Sequence, residues 1–555
     1  MKKLIALLLA LVMVLGMVAC GEKAPAETNA PAKEENKPAA TQAATETPDW
    51  KVEHPTWLCE EKTTLTVYTW EGVSSSFLPP SNDLFFWQYM EEYTNVHIEW
   101  EVVPYADFNT LIAAKLSSGD ALNDIIMMGQ SAQTPLGAGQ NGMLVDLAPN
   151  WESWFPNMDA MYKDMNVPYK ANISNYDGSM YAITTFAAPM YNRIILLFNT
   201  QWMKALNLEI PETIDELEAV LRAMKAAGDL NGNGQADEIY FTATDVEWLL
   251  PSIGTAFGVE NIESCDFFSA GADGVVYDEY TSENMKAMLG WLNEMYDEGI
   301  LDAEIATNTM DIVAEKVTAD RVGVVSMYAS FATSYGNLTT AGQNDKNAEY
   351  YSLGKVMTSQ WNPTPKMTMY ENYSMFTGIS TNCANPELAA RWIDTLYADP
   401  EILVVRACGE PGNTFEFDAN GDPQIIMPAD GSAWTNKNLG CGQLSLPYIQ
   451  TDLQLNFSKA ATAPWYVEDY EANFINGCEW NMPSVPKVPG YTEEETEIRD
   501  LYQADLKSAW EEYRNKFIIG ELDVEADWAA YAATLKGFGL DEMRDCYQSV
   551  YDRTR

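Results

Sequence analysis

Between Gly228 and Tyr240 the chain reads Asp229-x-Asn231-x-Asn233-Gly234-x-x-Asp237-Glu238. Calcium takes six or more oxygen ligands, and alternate side chains of a tight loop can supply them. Asp229, Asn231 and Asn233 stand at positions 1, 3 and 5 of such a loop, Gly234 at its sharp turn and Asp237 at position 9. Gln235 would offer its backbone carbonyl. Position 12, where a bidentate glutamate is usual, holds Tyr240, so Glu238 is the carboxylate left for that role. The same residues also spell an Asx-rich turn that needs no ion. Five spaced oxygen side chains favour calcium, bound for structure and not for catalysis.

Other chemistries find little support. His54 and His97 are the only two histidines, which leaves no basis for a histidine triad or a two-histidine metal site. GxSxG, HExxH and GxxxxGK are all absent. With 81 acidic residues a carboxylate pair is always at hand, so no single pair identifies a glycosidase. Apart from Cys20 the cysteines are Cys59, Cys265, Cys383, Cys408, Cys441, Cys478 and Cys546; they form no CxxC, and their pairing is not legible. The 17 tryptophans are more informative. Sugar rings stack their C–H faces on aromatic rings, while amides and carboxylates bind the hydroxyls. Trp70, Trp248, Trp361 and Trp434 sit in turn-like sequence, where binding and burial are equally good readings. Trp291, Trp392 and Trp510 fall in helical patterns and are expected to pack.

The elements that must position these groups read as alternating strands and helices. Strands are expected at Leu65–Tyr68, closing at Trp70-Glu71, at His97–Val102 and at Asp124–Met128, with helices at 85–93 and 108–116 between them. Strand–helix–strand order implies parallel strands, whose carboxyl ends are the usual ligand edge. Arg193–Phe198 and Arg321–Met327 read as further buried strands. Thr213 with Glu216, and Thr492 with Glu495, have the spacing of reciprocal helix caps. Asn385-Pro386 opens another helix, and Ser282–Gly299 is amphipathic.

Composition bounds the rest. Lys and Arg total 33 against 81 Asp and Glu, a net charge of −48, which disfavours nucleic acid and anionic headgroups as partners. At 555 residues more than one lobe is expected. Met1-Lys2-Lys3 and the short apolar run to Ala19 describe an export signal, not a spanning helix. Residues 21–49 lack every large apolar side chain and cannot build a core, so they read as a flexible tether reaching on the order of 30 Å.

The calcium loop, Tyr191–Thr200, YDEGILDAEIA (296–306), RVGVV (321–325), NPELAARWIDTLY (385–397), DANGDPQ (418–424) and EADWAAYAATLKGFGLDEM (525–543) occur in one order. That ordered set resembles the family 1 extracellular solute-binding lipoproteins of carbohydrate ABC transporters. Ala19-Cys20 is similar to a bacterial lipobox, with Cys20 lipidated. The resemblance implies an α/β, two-lobe periplasmic-binding-protein-like fold with a hinge and a central ligand cleft, and no enzyme activity. It implies capture of a carbohydrate, an oligosaccharide in particular, by a monomer on the outer face of the cell membrane. Delivery would be to permease subunits served by a separate cytoplasmic ATPase. The segments expected are 1–19 signal, 20–58 lipidated tether, 59–188 with 330–380 as the N-terminal lobe, and 189–329 with 381–555 as the C-terminal lobe. Crossings are expected near 186–192, 327–331 and 378–384. The ligand set expected is Trp70, Glu71, Gln130, Tyr191, Trp248, Tyr328 and Trp361. A lipid-anchored glycosidase or lyase, or a binder of peptide or other solute, are the rival readings.

Overall fold

The computed structural model describes residues 52, 55–71, 80–129, 133–165, 167, 169–187, 193–259, 267–338, 349–368, 374–419, 421, 423–426, 446, 449–450, 463–481 and 491–554. The export signal, Cys20 and the tether to residue 51 lie outside them, as do Gln130, Tyr191, Cys265, Trp434 and Cys441. The strands are β1 (Thr63–Trp70), β2 (Val96–Val103), β3 (Ile125–Gly129), β4 (Ile183–Ala187), β5 (Ile194–Asn199) and β6 (Ile239–Ala243). There follow β7 (Phe268–Ala270), β8 (Val276–Asp278), β9 (Val322–Tyr328), β10 (Tyr351–Leu353), β11 (Lys366–Thr368) and β12 (Ser374–Ile379). The last four are β13 (Phe415–Phe417), β14 (Pro423–Ile425), β15 (Ile449–Gln450) and β16 (Glu479–Asn481).

Two larger sheets organise the molecule, one of six strands in the order β15-β4-β12-β3-β1-β2 and one of four in the order β10-β5-β9-β6. β1 runs parallel to β2 and β3, while β12 lies antiparallel to β3 and β4. In the second sheet β9 is antiparallel to β5 and parallel to β6. Apolar residues fill both faces of each sheet, as expected for strands covered on both sides. Leu65 and Val67 of β1 join one core cluster, and Tyr68 and Trp70 another. Along β5, Leu196 and Phe198 face one cluster, and Ile195 and Leu197 the other.

The cores divide the chain differently from the expected lobe boundaries. Helix Phe331–Leu338, β10 and β11 contribute Tyr335, Tyr351, Leu353 and Met367 to the core of the second sheet. Helices Pro386–Ala398 and Pro400–Cys408 instead bury Trp392, Ile393 and Val405 with Leu65 and Phe86 of the first lobe. Only β12, out of 330–380, joins the first sheet. The chain therefore passes between the sheets from β4 to β5 across 188–192, back between β11 and β12, and again after β15. The crossings expected at 327–331 and 378–384 are not there, because an apolar helix pattern does not say which sheet it will cover. The tether expected to reach residue 58 ends sooner: Leu58 N–H donates to the Thr94 carbonyl at 2.9 Å, and Val52 and Leu58 pack on the first core.

Local signals fared better. Thr492 and Glu495 form the full reciprocal cap of helix Glu493–Ile518. The Thr213 hydroxyl accepts from Glu216 N–H at 3.1 Å, but the Glu216 carboxylate reaches Glu212 N–H instead, one residue from the expected partner. Trp291, Trp392 and Trp510 are buried, as their helical spacing predicts. Among the described residues Cys59, Cys383, Cys408, Cys478 and Cys546 are free thiols, and no helix is long and apolar enough to cross a membrane.

Candidate functional site

Strand direction brings a defined set of residues to one edge of each sheet. In the first sheet Trp70 pairs with Val103, and Gly129 with Phe376 near the start of β12, so the ends of β1, β2, β3 and β4 share an edge. In the second, Tyr328 pairs with Ile194, and Ala243 with Ser326, which aligns the ends of β6 and β9 with the start of β5. The segment 188–192 joins these two edges directly, so both border the hinge.

On the first edge the expected stacking residue is not available. Trp70 is 2% exposed, its ring meeting Phe108 at 4.7 Å and Tyr105 at 5.0 Å, both edge-on. The exposed ring is Tyr105, 39% open, in the turn Tyr105–Asp107 after β2. Trp70 acts as its backing, a role an isolated strand end cannot reveal because the partner ring comes from the neighbouring strand's loop. Glu71 is exposed beside it, with its N–H donated to the Val103 carbonyl at 3.1 Å. Gly129 ends β3 beside the Phe108 ring with φ of 95°, a backbone conformation that favours glycine. A groove of 740 Å³ between helices Phe108–Ser117 and Gln133–Gln140 begins at this edge with Asn109 and Met128.

The second edge keeps its expected aromatics together. Trp248 and Tyr328 meet edge-to-face at 4.9 Å, both half-buried. Asp245 caps helix Val246–Ile253 by accepting from Trp248 N–H at 3.0 Å, and the Ser326 hydroxyl donates to the Trp248 carbonyl at 2.6 Å. At the end of β6, Lys316 Nζ donates to Asp302 and Asn308, each at 2.7 Å, and Asn308 in turn donates to Thr242 and the Ala243 carbonyl. Burial works to raise the Asp302 pKa, but Asn308, Lys316 and Thr242 outweigh it and hold the carboxyl below its ordinary value. Trp361 is 42% exposed in a turn pinned to Ala256 and Thr255 through Ser359 and Asn362. Among the described residues no ring contact links it to Trp248 or Tyr328, so it stands apart from the pair.

The Asp229–Glu238 loop lies at the opposite edge of the second sheet, where β6 begins. Strand β6 separates it from Ala243 by on the order of 13 Å. Asp229 Oδ2 accepts from Gly234 N–H at 2.9 Å, Asn231 Oδ1 from Asn233 N–H, and Asn233 Oδ1 from Gln235 N–H at 2.7 Å. Gly234 has φ of 80°, the turn that position was expected to need. Asp237 accepts from the Asn233 amide, which does most to hold its carboxyl low, and from Asn231 and Arg321. Glu238 Oε1 takes Leu230 N–H, while its buried Oε2 has no hydrogen-bond partner among the described residues. No group of three or more His, Cys, Asp and Glu is gathered to hold a metal among the described residues, so an ion here depends on the Asn oxygens and the Gln235 carbonyl as well. A buried, unpartnered carboxylate oxygen in an oxygen-rich loop fits a hard cation.

Residues 75–401 match the family model described as bacterial extracellular solute-binding protein. The chain is similar to the fructooligosaccharide ABC transporter substrate-binding protein FusA of Streptococcus pneumoniae serotype 4, at 27% identity over 91% of this chain and 93% of that one. Among solved structures it is similar to S. pneumoniae FusA in complex with kestose, with a TM-score of 0.66 at 23% identity over 88% of this chain and 99% of that one. It is also similar to the alginate-binding protein AlgQ2 without calcium ion, with a TM-score of 0.63 at 19% identity over 90% of this chain and 100% of that one.

Proposed function

Because this chain belongs to the bacterial extracellular solute-binding proteins, we propose that its cleft captures an oligosaccharide and delivers it to the permease of an ABC transporter. The observation that carries this reading is that each hinge-side sheet edge presents aromatic rings, Tyr105 on one lobe and Trp248 with Tyr328 on the other. Aromatic faces suit the C–H faces of a sugar, and a ligand long enough to touch both edges gains its second set of contacts only on closure. Closure is then favoured by differential affinity for the closed form. Glu71, together with Gln130 and Tyr191, would supply acceptors and donors for hydroxyls. The closed, liganded monomer is what the permease recognises, with a separate cytoplasmic ATPase driving transport. The protein would bind its ligand without turnover.

Lipidation at Cys20 would hold the protein on the outer face of the membrane, with 21–49 as the tether. Calcium would sit in the Asp229–Glu238 loop, away from the ligand edge, and act on stability alone. Its ligands would come from Asp229, Asn231, Asn233, Gln235, Asp237 and Glu238.

A thermal-shift screen against mono- and oligosaccharides, followed by calorimetry and product analysis, tests the whole reading. Raised melting temperature and intact ligand are expected. Hydrolysis or elimination of a glycan would assign the enzyme reading, and a shift with peptides alone would remove carbohydrate as the ligand class.

A further inference from the structure

Two Asn-Gly pairs stand side by side in the Asp229–Glu238 loop, Asn231-Gly232 and Asn233-Gly234. In such a pair the glycine amide nitrogen can attack the asparagine side-chain carbonyl carbon, because glycine has no Cβ to crowd the approach. The N–Cγ bond forms and the Cγ–Nδ2 bond breaks. The glycine amide gives its proton to solvent, and the departing nitrogen takes one up and leaves as ammonia. Water then opens the cyclic imide left behind. Opening at Cγ gives aspartate, and opening at the main-chain carbonyl gives isoaspartate.

The two pairs are closely matched. Both glycines are exposed, with φ of 72° and 80°. Asn231 Oδ1 accepts from Asn233 N–H at 3.0 Å and Asn233 Oδ1 from Gln235 N–H at 2.7 Å, and each bond polarises the carbonyl to be attacked. Both Nδ2 groups donate to Asp237 Oδ1, at 3.3 and 3.0 Å. The difference lies in the nucleophile. Gly234 N–H donates to Asp229 Oδ2 at 2.9 Å, a charge-assisted bond that must break before its nitrogen can turn toward Cγ. Gly232 N–H makes no hydrogen bond among the described residues. At Asn141-Gly142 the nucleophile is again held, with Gly142 N–H donated to the Gly139 carbonyl at 2.8 Å.

We propose that Asn231 is a self-modifying residue, converted to aspartate or isoaspartate while Asn233 persists. The product puts a carboxylate at the third position of the loop and takes from Asp237 one of its amide donors. For the aspartate form this adds an anionic oxygen to the ligand set, a consequence that rests on the calcium reading above. The loop then depends more on its ion as the protein ages.

Peptide mapping of the full mature chain, held at mildly alkaline pH in chelator, tests this against the same chain in denaturant. Unfolded, the two pairs should react at similar rates. Folded, Asn231 should be converted roughly tenfold faster than Asn233, as one charge-assisted hydrogen bond on the nucleophile would require. Asp229→Ala should bring Asn233 close to the rate of Asn231, and Asp229→Asn, which keeps an acceptor, should do so less. Asn231→Asp should gain more melting temperature from added calcium than the parent does. Equal rates in the folded chain, conversion of Asn233 first, or no product at position 231 overturns the proposal. Conversion of Asn231, with Asn231→Asp responding to calcium as the parent does, upholds the modification and removes the calcium reading.

Discussion

The two hinge edges solve one problem with different materials. On the first, an exposed tyrosine is held by an aromatic core, with Trp70 and Phe108 packed edge-on behind Tyr105. On the second, the half-buried pair Trp248–Tyr328 has its tryptophan packed on the apolar clusters of that sheet, while Lys316, Asp302, Asn308 and Thr242 hydrogen-bond one another around the end of β6. Aromatic packing tolerates gradual loss of contact, whereas a buried ion pair tolerates none, since each partner leaves the other uncompensated.

The polar cluster is the more brittle. Lys316→Ala should cost about 3–5 kcal/mol, because Asp302 is left buried without its cation, as read by denaturant unfolding; a loss below 1 kcal/mol would erase the distinction. The same pair sets an acid limit. Asp302 titrates below its ordinary value in the folded state, so its contribution is complete above the unfolded pKa of about 4 and is lost as pH falls through the folded pKa. Lys316→Ala should therefore flatten the fall in stability on the acid side of pH 4.

Trp70→Ala should cost roughly 3 kcal/mol, the low end for a buried tryptophan since the cavity opens toward Tyr105 and can relax. It should also weaken sugar binding, because Tyr105 loses its support. A variant that binds poorly yet unfolds like the parent would instead make Trp70 a direct contact.

Calcium sharpens the contrast within the second lobe. If the loop holds an ion at about 100 times its Kd, chelation should lower stability by roughly 2.7 kcal/mol while leaving oligosaccharide preference unchanged. Unchanged melting in chelator, with no metal found by elemental analysis, would leave Glu238 Oε2 without an explanation.

The smallest effects should fall on the solvent-accessible and half-buried rings. Tyr105→Ala and Trp248→Ala should each cost about 1 kcal/mol or more of binding, with Trp248→Ala the more costly to stability because half its ring is buried. Calorimetry beside thermal melts separates the two, and normal binding by both variants would end the stacking reading.

Much of this was legible in the chain itself. Periodicity located β1, β2 and β3 within a residue or two, Thr492 with Glu495 announced a helix start, and the Asp229–Glu238 spacing marked an oxygen-rich turn. These are contacts between residues a few positions apart, so sequence spacing fixes them. Helical tryptophans such as Trp392 were likewise correctly read as core. Which sheet the helices at 331–338 and 386–398 would cover was not legible, because an apolar face specifies burial and not a partner. Nor was the exchange of roles between Trp70 and Tyr105. That depended on two parallel strands placing their ends side by side, 33 residues apart in register, so that one ring shielded the other. Local chemistry is written in spacing along the chain; exposure is decided only when distant segments compete for the same surface.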